Sequence, residues 1–313
     1  MADVPVGPVR LRVQTEPAGT RGLPAGVAGL LDGFRAARAV PPGGCLDVAV
    51  SLRRGAAPAP SAERHLARFR WQPGGWYEDR CELWTARLRG FDGAVAPAAT
   101  ALVSSRATDP TLWTRAGVLL ARVAAASALP LRGGLLLHGC AMVPPDAEAA
   151  TVFVGASGGG KTTMTRRLPG WRALADDTVA VWADAGGAFR AAGTPFAGKE
   201  RLPRDGRSVP LGRVVLLAPG AARLSLVDVG AGEAFRALTA RVMCFADRGP
   251  VVDRTLAVTE ALVGAVAVQR LASSLEHDVQ ALLGGGGARG EMAGEGTPAA
   301  HGPGGAGGGR GGC

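Results

Sequence analysis

At 313 residues, with hydrophobic residues making up 47%, the chain is long for one core and suits about two domains with ample material to bury. A formal charge of +9 is carried by scattered arginines, and with aromatics at only 5% and no basic run, RNA-binding modules are excluded and a general arginine bias remains. Cys45, Cys81, Cys140, Cys244 and Cys313 are widely spaced with no C-x-x-C pair, which excludes a zinc site or disulfide framework and fits a reducing compartment.

Met1-Ala2-Asp3-Val4-Pro5 has neither a basic start nor an apolar segment of the secretory kind. No apolar run reaches the ~18 residues that span a bilayer, and Arg122 interrupts the best candidate. The expectation is a soluble, cytoplasmic protein with no membrane partner and no nucleic-acid partner. Residues 1–108 form a separate small α+β unit. Val9–Val13 and Leu46–Leu52 alternate as half-buried strands do, with a short helix over Val27–Ala37 between them. Two more strands are expected over Leu66–Trp71 and Glu82–Leu88, separated by Pro73-Gly74-Gly75. Trp71, Trp76, Tyr77 and Trp84 gather the aromatics here. A small core accounts for them, and an aromatic peptide-docking face is the alternative.

A helix follows with clear start signals. Asp109 can cap it and Pro110 takes its first position. Leu112, Ala116, Leu119, Leu120 and Val123 then repeat on one face until Pro130. The run Gly134–Gly139 reads as a strand ending at His138. Thr151–Val154, Ala173–Ala175, Val179–Trp182 and Val214–Leu217 read as further strands. Ala234–Phe245 and Thr255–Val266 look helical, and Val279–Leu283 makes a last short turn. Strands outnumber helices, so a mixed sheet is expected rather than strict alternation. These elements define a unit over 109–284, and the glycine-rich tract 285–313 should be disordered because it lacks apolar area to bury.

The stretch Gly155-Ala156-Ser157-Gly158-Gly159-Gly160-Lys161-Thr162 fits G-x-x-x-x-G-K-[ST], the phosphate-binding P-loop. A buried strand leads into it, and Thr163–Leu168 continues as a helix until Pro169-Gly170. Glycines let backbone N–H groups converge on a phosphate, and a helix N-terminus adds partial positive charge. Gly155 to Thr163 would cradle the nucleotide, Lys161 would reach the β/γ-phosphates, and Thr162 would ligate Mg²⁺. Only Lys161 and Lys199 are lysines in this arginine-rich chain. A lysine therefore stands where a compact ammonium is needed rather than a planar fork.

Asp176-Asp177 follows soon after, at the end of the apolar run Ala173-Leu174-Ala175. One carboxylate could hold Mg²⁺, directly or through water. The other could accept the proton of an attacking hydroxyl, because phosphoryl transfer needs little beyond positioning and charge neutralisation. From residues alone, His138 is more readily a structural strand-end histidine than a functional one. Ser157, Asp228, Glu233 and Asp247 carry no specific signal, and Lys199, in a Pro/Gly loop that could close over phosphate, reads more readily as an ordinary exposed lysine.

The ordered set His138-Gly139, Gly155–Thr162 and Ala175-Asp176-Asp177-x-Val179 resembles the catalytic domain of HPr kinase/phosphorylase and its relatives. The resemblance covers about residues 131–220 and weakens toward 284. It implies a mixed-sheet α/β P-loop domain with a fold similar to phosphoenolpyruvate carboxykinase, and a serine kinase using ATP and Mg²⁺. Carried across, Asp176 matches the general acid/base, Asp177 its metal-side neighbour, and His138 a residue lining the phosphate site. The family's later Gly- and Arg-rich signature has no counterpart here, and residues 1–108 do not resemble its usual regulatory domain. The chain looks like a divergent relative of the type found beside peptide-modifying enzymes. The expected activity is ATP-dependent phosphorylation of a Ser/Thr hydroxyl on a peptide or protein, such as a biosynthetic precursor peptide. Homo-oligomerisation is compatible with it. A small-molecule P-loop kinase and a non-catalytic ATP-binding accessory module are the alternatives. An ABC-type motor is excluded because no Ser-Gly-Gly-Gln-like signature follows the loop.

Overall fold

The structure, a computed structural model, describes residues 2–16, 34–35, 45–55, 68–80, 84–104, 110–156, 158–196, 198 and 204–284. Most of the expected helix Val27–Ala37, the cap Asp109, Ser157, Lys199, Cys81, Cys313 and the tract 285–313 lie outside these residues. In chain order the first half carries β1 (Ala2–Val6), β2 (Val9–Glu16), β3 (Phe34–Arg35), β4 (Leu46–Gly55), β5 (Arg70–Gln72), β6 (Trp76–Arg80), β7 (Trp84–Arg89) and β8 (Ala98–Ser104). Then follow helix α1 (Pro110–Ala128), a 3-10 turn (Leu129–Arg132), β9 (Gly134–Val143), β10 (Ala150–Val154), α2 (Lys161–Arg167), β11 (Arg172–Ala175), β12 (Thr178–Ala183), β13 (Phe189–Gly193), β14 (Arg204–Asp205) and β15 (Val209–Pro219). The chain closes with β16 (Ser225–Asp228), α3 (Ala231–Thr239), α4 (Pro250–Ala265), β17 (Ala267–Ser273) and α5 (Val279–Gly284).

The fold is mixed α/β with two mixed sheets. The first has seven strands in the order β1-β2-β4-β8-β7-β6-β5, with β4 parallel to both its neighbours. Strict alternation drives it: Val9, Leu11 and Val13, then Val48, Val50 and Leu52, turn to one face and are fully buried. Helix α1 packs on that face, with Ala116, Leu120, Val123 and Ala124 in the same core. That core also takes Leu136, Ala180, Trp182 and Phe196 from the second half. The helix whose start signals open the second unit is therefore packed on the sheet of the first. By length and composition the stretch 114–132 is apolar enough to cross a membrane, Arg122 notwithstanding, yet it is mostly buried within the protein. Burial in this core accounts for its apolar character.

The second sheet has eight strands, ordered β10-β9-β12-β13-β15-β17-β16, with β11 beside β9 and β10 also paired to β15. β10 is antiparallel to β9 and parallel to β15. The expected helix Ala234–Phe245 stops at Thr239. Beyond it, the Met243 N–H donates to the Leu136 carbonyl and the Arg241 carbonyl accepts from the His138 N–H. Pairing along β9 thus overrides helical periodicity. Phe34–Arg35, expected at the end of a helix, instead pairs in parallel with β14. Strands β13, β16 and β17 were not foreseen.

Candidate phosphate site

All of β10 is buried, and it delivers the chain into the glycine loop. Each glycine has its own reason to be there. A Cβ on Gly159 would stand 2.9 Å from the Ala156 carbonyl oxygen, which accepts the Gly159 N–H at 2.9 Å. Gly158 and Gly160 have φ of 75° and 86°, the left-handed region open to glycine, and nothing lies within 4 Å of their would-be Cβ positions. One glycine is demanded by space and the other two by backbone conformation, with open space beside Gly158 and Gly160.

Lys161 is buried, 7% exposed, and its Nζ donates to the carbonyl oxygens of Gly155 (3.2 Å) and Ala156 (2.9 Å). Burial pushes its ammonium below the usual lysine range, while Asp177 opposes that shift. Thr162 and Thr163 are half-buried on the first turn of α2. The Cys140 Sγ donates to the Lys161 carbonyl at 3.1 Å. Burial pushes that thiol up to about 12, so it remains protonated and inert.

The carboxylate pair reaches the loop through β9. On one side of β9, Gly139 is paired with Val154, the last residue of β10. On the other side β11 and β12 run in line, pairing Ala175 with Ala141 and Thr178 with His138. Asp176-Asp177 fills the break between them, and the Gly139 N–H donates to the Asp177 carbonyl at 2.9 Å. Gly139 admits both neighbours because a Cβ there would come within 2.6 Å of the Phe153 carbonyl oxygen. Asp176 is buried at 4% exposure and accepts the Gly198 N–H at 3.3 Å. Asp177 is half-buried, and its Oδ2 accepts from the Thr178 hydroxyl at 3.1 Å.

His138 Nδ1 lies 3.1 Å from the Asp177 carbonyl oxygen and 3.4 Å from Oδ1. Burial lowers the imidazole below its ordinary value; Asp177 opposes this, while Lys161 and Arg122 push it further down. The ring is therefore neutral at neutral pH. Among the described residues, no group of three or more His, Cys, Asp or Glu is placed to hold a metal. The Thr162 hydroxyl and Asp177 carboxylate are hard oxygen donors of the kind Mg²⁺ takes alongside waters and phosphate oxygens.

Sequence reasoning missed Arg122. It enters from α1 with its guanidinium carbon 5.3 Å from the Phe196 ring centroid, and its Nε is buried without a hydrogen-bond partner. Burial pulls this guanidinium down, and Asp177 opposes the shift. A single charge within a buried apolar helix was the signal that could have found it. Gly198 was missed as well: a Cβ there would meet Asp176 Oδ2 at 2.9 Å and Asp177 Cβ at 3.0 Å. The other acids have structural partners. Asp228 accepts from Gln269, Glu233 pairs with Arg270, and Asp247 accepts the Trp71 N–H at 3.0 Å.

No protein-family model matches the chain, and no curated protein matches it. Among solved structures it shows a weak structural resemblance to the Hpr(Ser) kinase/phosphatase from Coxiella burnetii, with a TM-score of 0.27 and 9% identity over 47% of this chain and 90% of that one.

Proposed function

We propose that this chain is an ATP-dependent kinase that phosphorylates a Ser or Thr hydroxyl on a peptide or protein. One observation carries the reading: β9 holds the end of the P-loop strand against one edge and the Asp176-Asp177 pair against the other. The glycine loop and the carboxylate pair thereby lie on strands two spacings apart, ~10 Å, a separation that supports their acting on one transferred group. The open backbone at Gly158 and Gly160 accepts phosphate oxygens. Lys161, released from its own loop carbonyls, neutralises the β/γ-phosphates. Thr162 and Asp177 would hold Mg²⁺, which when bound neutralises phosphate charge. Asp176 takes the acceptor hydroxyl proton as the new O–P bond forms and the β–γ bridging bond breaks, ADP leaving. His138, neutral and beside Asp177, orients that carboxylate. Arg122 supplies a fixed positive charge on the same side.

The antiparallel β9 beside β10 speaks against an ordinary small-molecule P-loop kinase, whose P-loop strand sits in a parallel sheet. A non-catalytic nucleotide-binding module is separated by two substitutions. Lys161→Ala should weaken ATP binding and abolish transfer together. Asp176→Asn should still bind ATP while transfer falls by ~10²-fold or more. The measurements are calorimetric ATP affinity and radiolabel transfer to a peptide panel. ATP binding without transfer by the wild type across that panel would identify the accessory module. Unchanged ATP affinity in Lys161→Ala would remove the P-loop assignment itself.

A further inference from the structure

The first sheet has two faces of opposite character, and on the face away from α1 the described residues Arg12, Ala49, Arg89 and Thr100 are exposed. Register lines up its residues in rows across the strands. Arg12 pairs with Ala49, Ala49 with Ala98, and Ala98 with Arg89. In the next row Ser51 pairs with Thr100, and Thr100 with Arg87. Small side chains of the central strands β4 and β8 thus form a floor, walled by Arg12 and Arg89 in the first row and by Gln14 and Arg87 in the second. The walls stand three strand spacings apart, ~14 Å. Arg12 and Arg89 are exposed, and Arg89 pairs with no carboxylate among the described residues. In the floor, the Ser51 hydroxyl is buried and has no hydrogen-bond partner.

The face carries both signs with arginine in excess. Arg10, Arg12, Arg80, Arg87 and Arg89 share it with Asp3, Asp47 and Glu78. Asp47 is held between Arg10 and Arg12, both at 2.7 Å, and Glu78 between Arg80 (2.8 Å) and Arg87 (3.0 Å). Two of the three carboxylates already present are thus bracketed by two guanidiniums, and five arginines against three acids leave positive charge over. Rows repeat every second residue, ~6.8 Å, which is also the side-chain repeat of an extended peptide. Trp76 is covered by Arg87, whose guanidinium carbon is 4.9 Å from the ring centroid. That leaves it poorly placed to stack on a nucleobase.

We propose that this face docks an extended acidic segment of the peptide acceptor, its carboxylates bracketed between Arg12 and Arg89 over the Ala49–Ala98 floor. This deepens the kinase reading and rests on it for the identity of the partner. Because the face lies on the opposite side of the sheet from α1 and Arg122, it anchors a segment remote from the phosphorylated hydroxyl.

The test uses the full chain and a fluorescent alternating Glu-Gly decapeptide, with a Gln-Gly counterpart and an oligouridine of equal length as rivals, read by anisotropy. The acidic peptide should bind, weaken steeply with salt, and outcompete both rivals. The double variant Arg12→Gln/Arg89→Gln should lose roughly tenfold in affinity at low salt. The exposed pair Arg223→Gln/Arg236→Gln, placed elsewhere, should lose nothing. Unchanged ATP affinity and melting temperature in each variant certify the fold. Equal binding by the Arg12/Arg89 variant, equal binding of the Gln peptide, tighter binding of the RNA, or no binding would each overturn the proposal. The decapeptide has no hydroxyl, so its binding is independent of catalysis. A chain that binds it but transfers no phosphate overturns the kinase reading alone; a chain that phosphorylates acceptors but ignores it overturns this one alone.

Discussion

Arg122 lies with its guanidinium carbon 5.3 Å from the centroid of the Phe196 ring, carrying a charge from α1 into the neighbourhood of the carboxylate pair. A desolvated charge on a core helix, with no carboxylate bound to it among the described residues, destabilises the fold, and such costs concentrate at functional sites. Arg122→Met should therefore raise the ligand-free Tm by about 2 °C, corresponding to about 1 kcal/mol. Phosphate transfer should fall ~10- to 100-fold with ATP affinity little changed. Scanning calorimetry and single-turnover transfer check both halves. A lower Tm with full transfer would make Arg122 a packing residue.

Gly198→Ala tests the carboxylate geometry without touching either acid. Its methyl would press on Asp176 Oδ2 and Asp177 Cβ, at 2.9 Å and 3.0 Å. A misplacement below 1 Å should lower transfer about tenfold or more while ATP affinity stays within about twofold. Gly264→Ala is the control, since its Cβ would meet nothing within 4 Å on exposed α4. It should leave transfer alone and stabilise the helix by about 0.5 kcal/mol.

The pH dependence of stability should carry a His138 component. Its folded pKa is depressed by burial below the ordinary 6.5, so the unfolded chain binds the proton first as pH falls. Stability from the neutral ring is fully present above about 6.5 and is lost as pH drops toward the lower folded value. Melting curves from pH 7.5 to 5.0 should show wild type losing more Tm than His138→Asn. Parallel slopes would show that His138 titrates alike in both states.

Helix α5 should matter far more than its length suggests. Val279 and Leu283 are buried against Cys140, Phe153 and Trp171, in the layer beneath the P-loop strand. Leu283→Ala should cost about 2–5 kcal/mol, visible as a lower urea midpoint. A chain ending at Gly284 should unfold with the full-length protein, because the glycine-rich composition beyond it offers little apolar area to bury. Loss of stability in that shorter chain would mean the tract packs.

The turn from a buried strand through a glycine loop into a helix was legible in the residues because its requirements are local: an apolar run, glycines for left-handed backbone, and a start signal for the helix. The apolar face of α1 and the alternating strands β2 and β4 were legible for the same reason, since their periods lie within one element. Strands β13 and β17 were not, because residues such as Ala191, Ala192, Gln269 and Arg270 give only a weak alternating signal. Nor could helical periodicity near Phe245 foresee that residues 241–243 would be drawn into backbone pairing with β9. Asp176 and Asp177 were visible as a pair, yet only β9 decided which residues face them, through register set at long range by burial on two sides. Arg122 read as an interruption in an apolar helix, and tertiary packing brought it to Phe196. The sequence alone determined the chemistry the loop can offer; the tertiary structure decided which distant side chains surround it, because sheet pairing and core packing join residues that no local pattern connects.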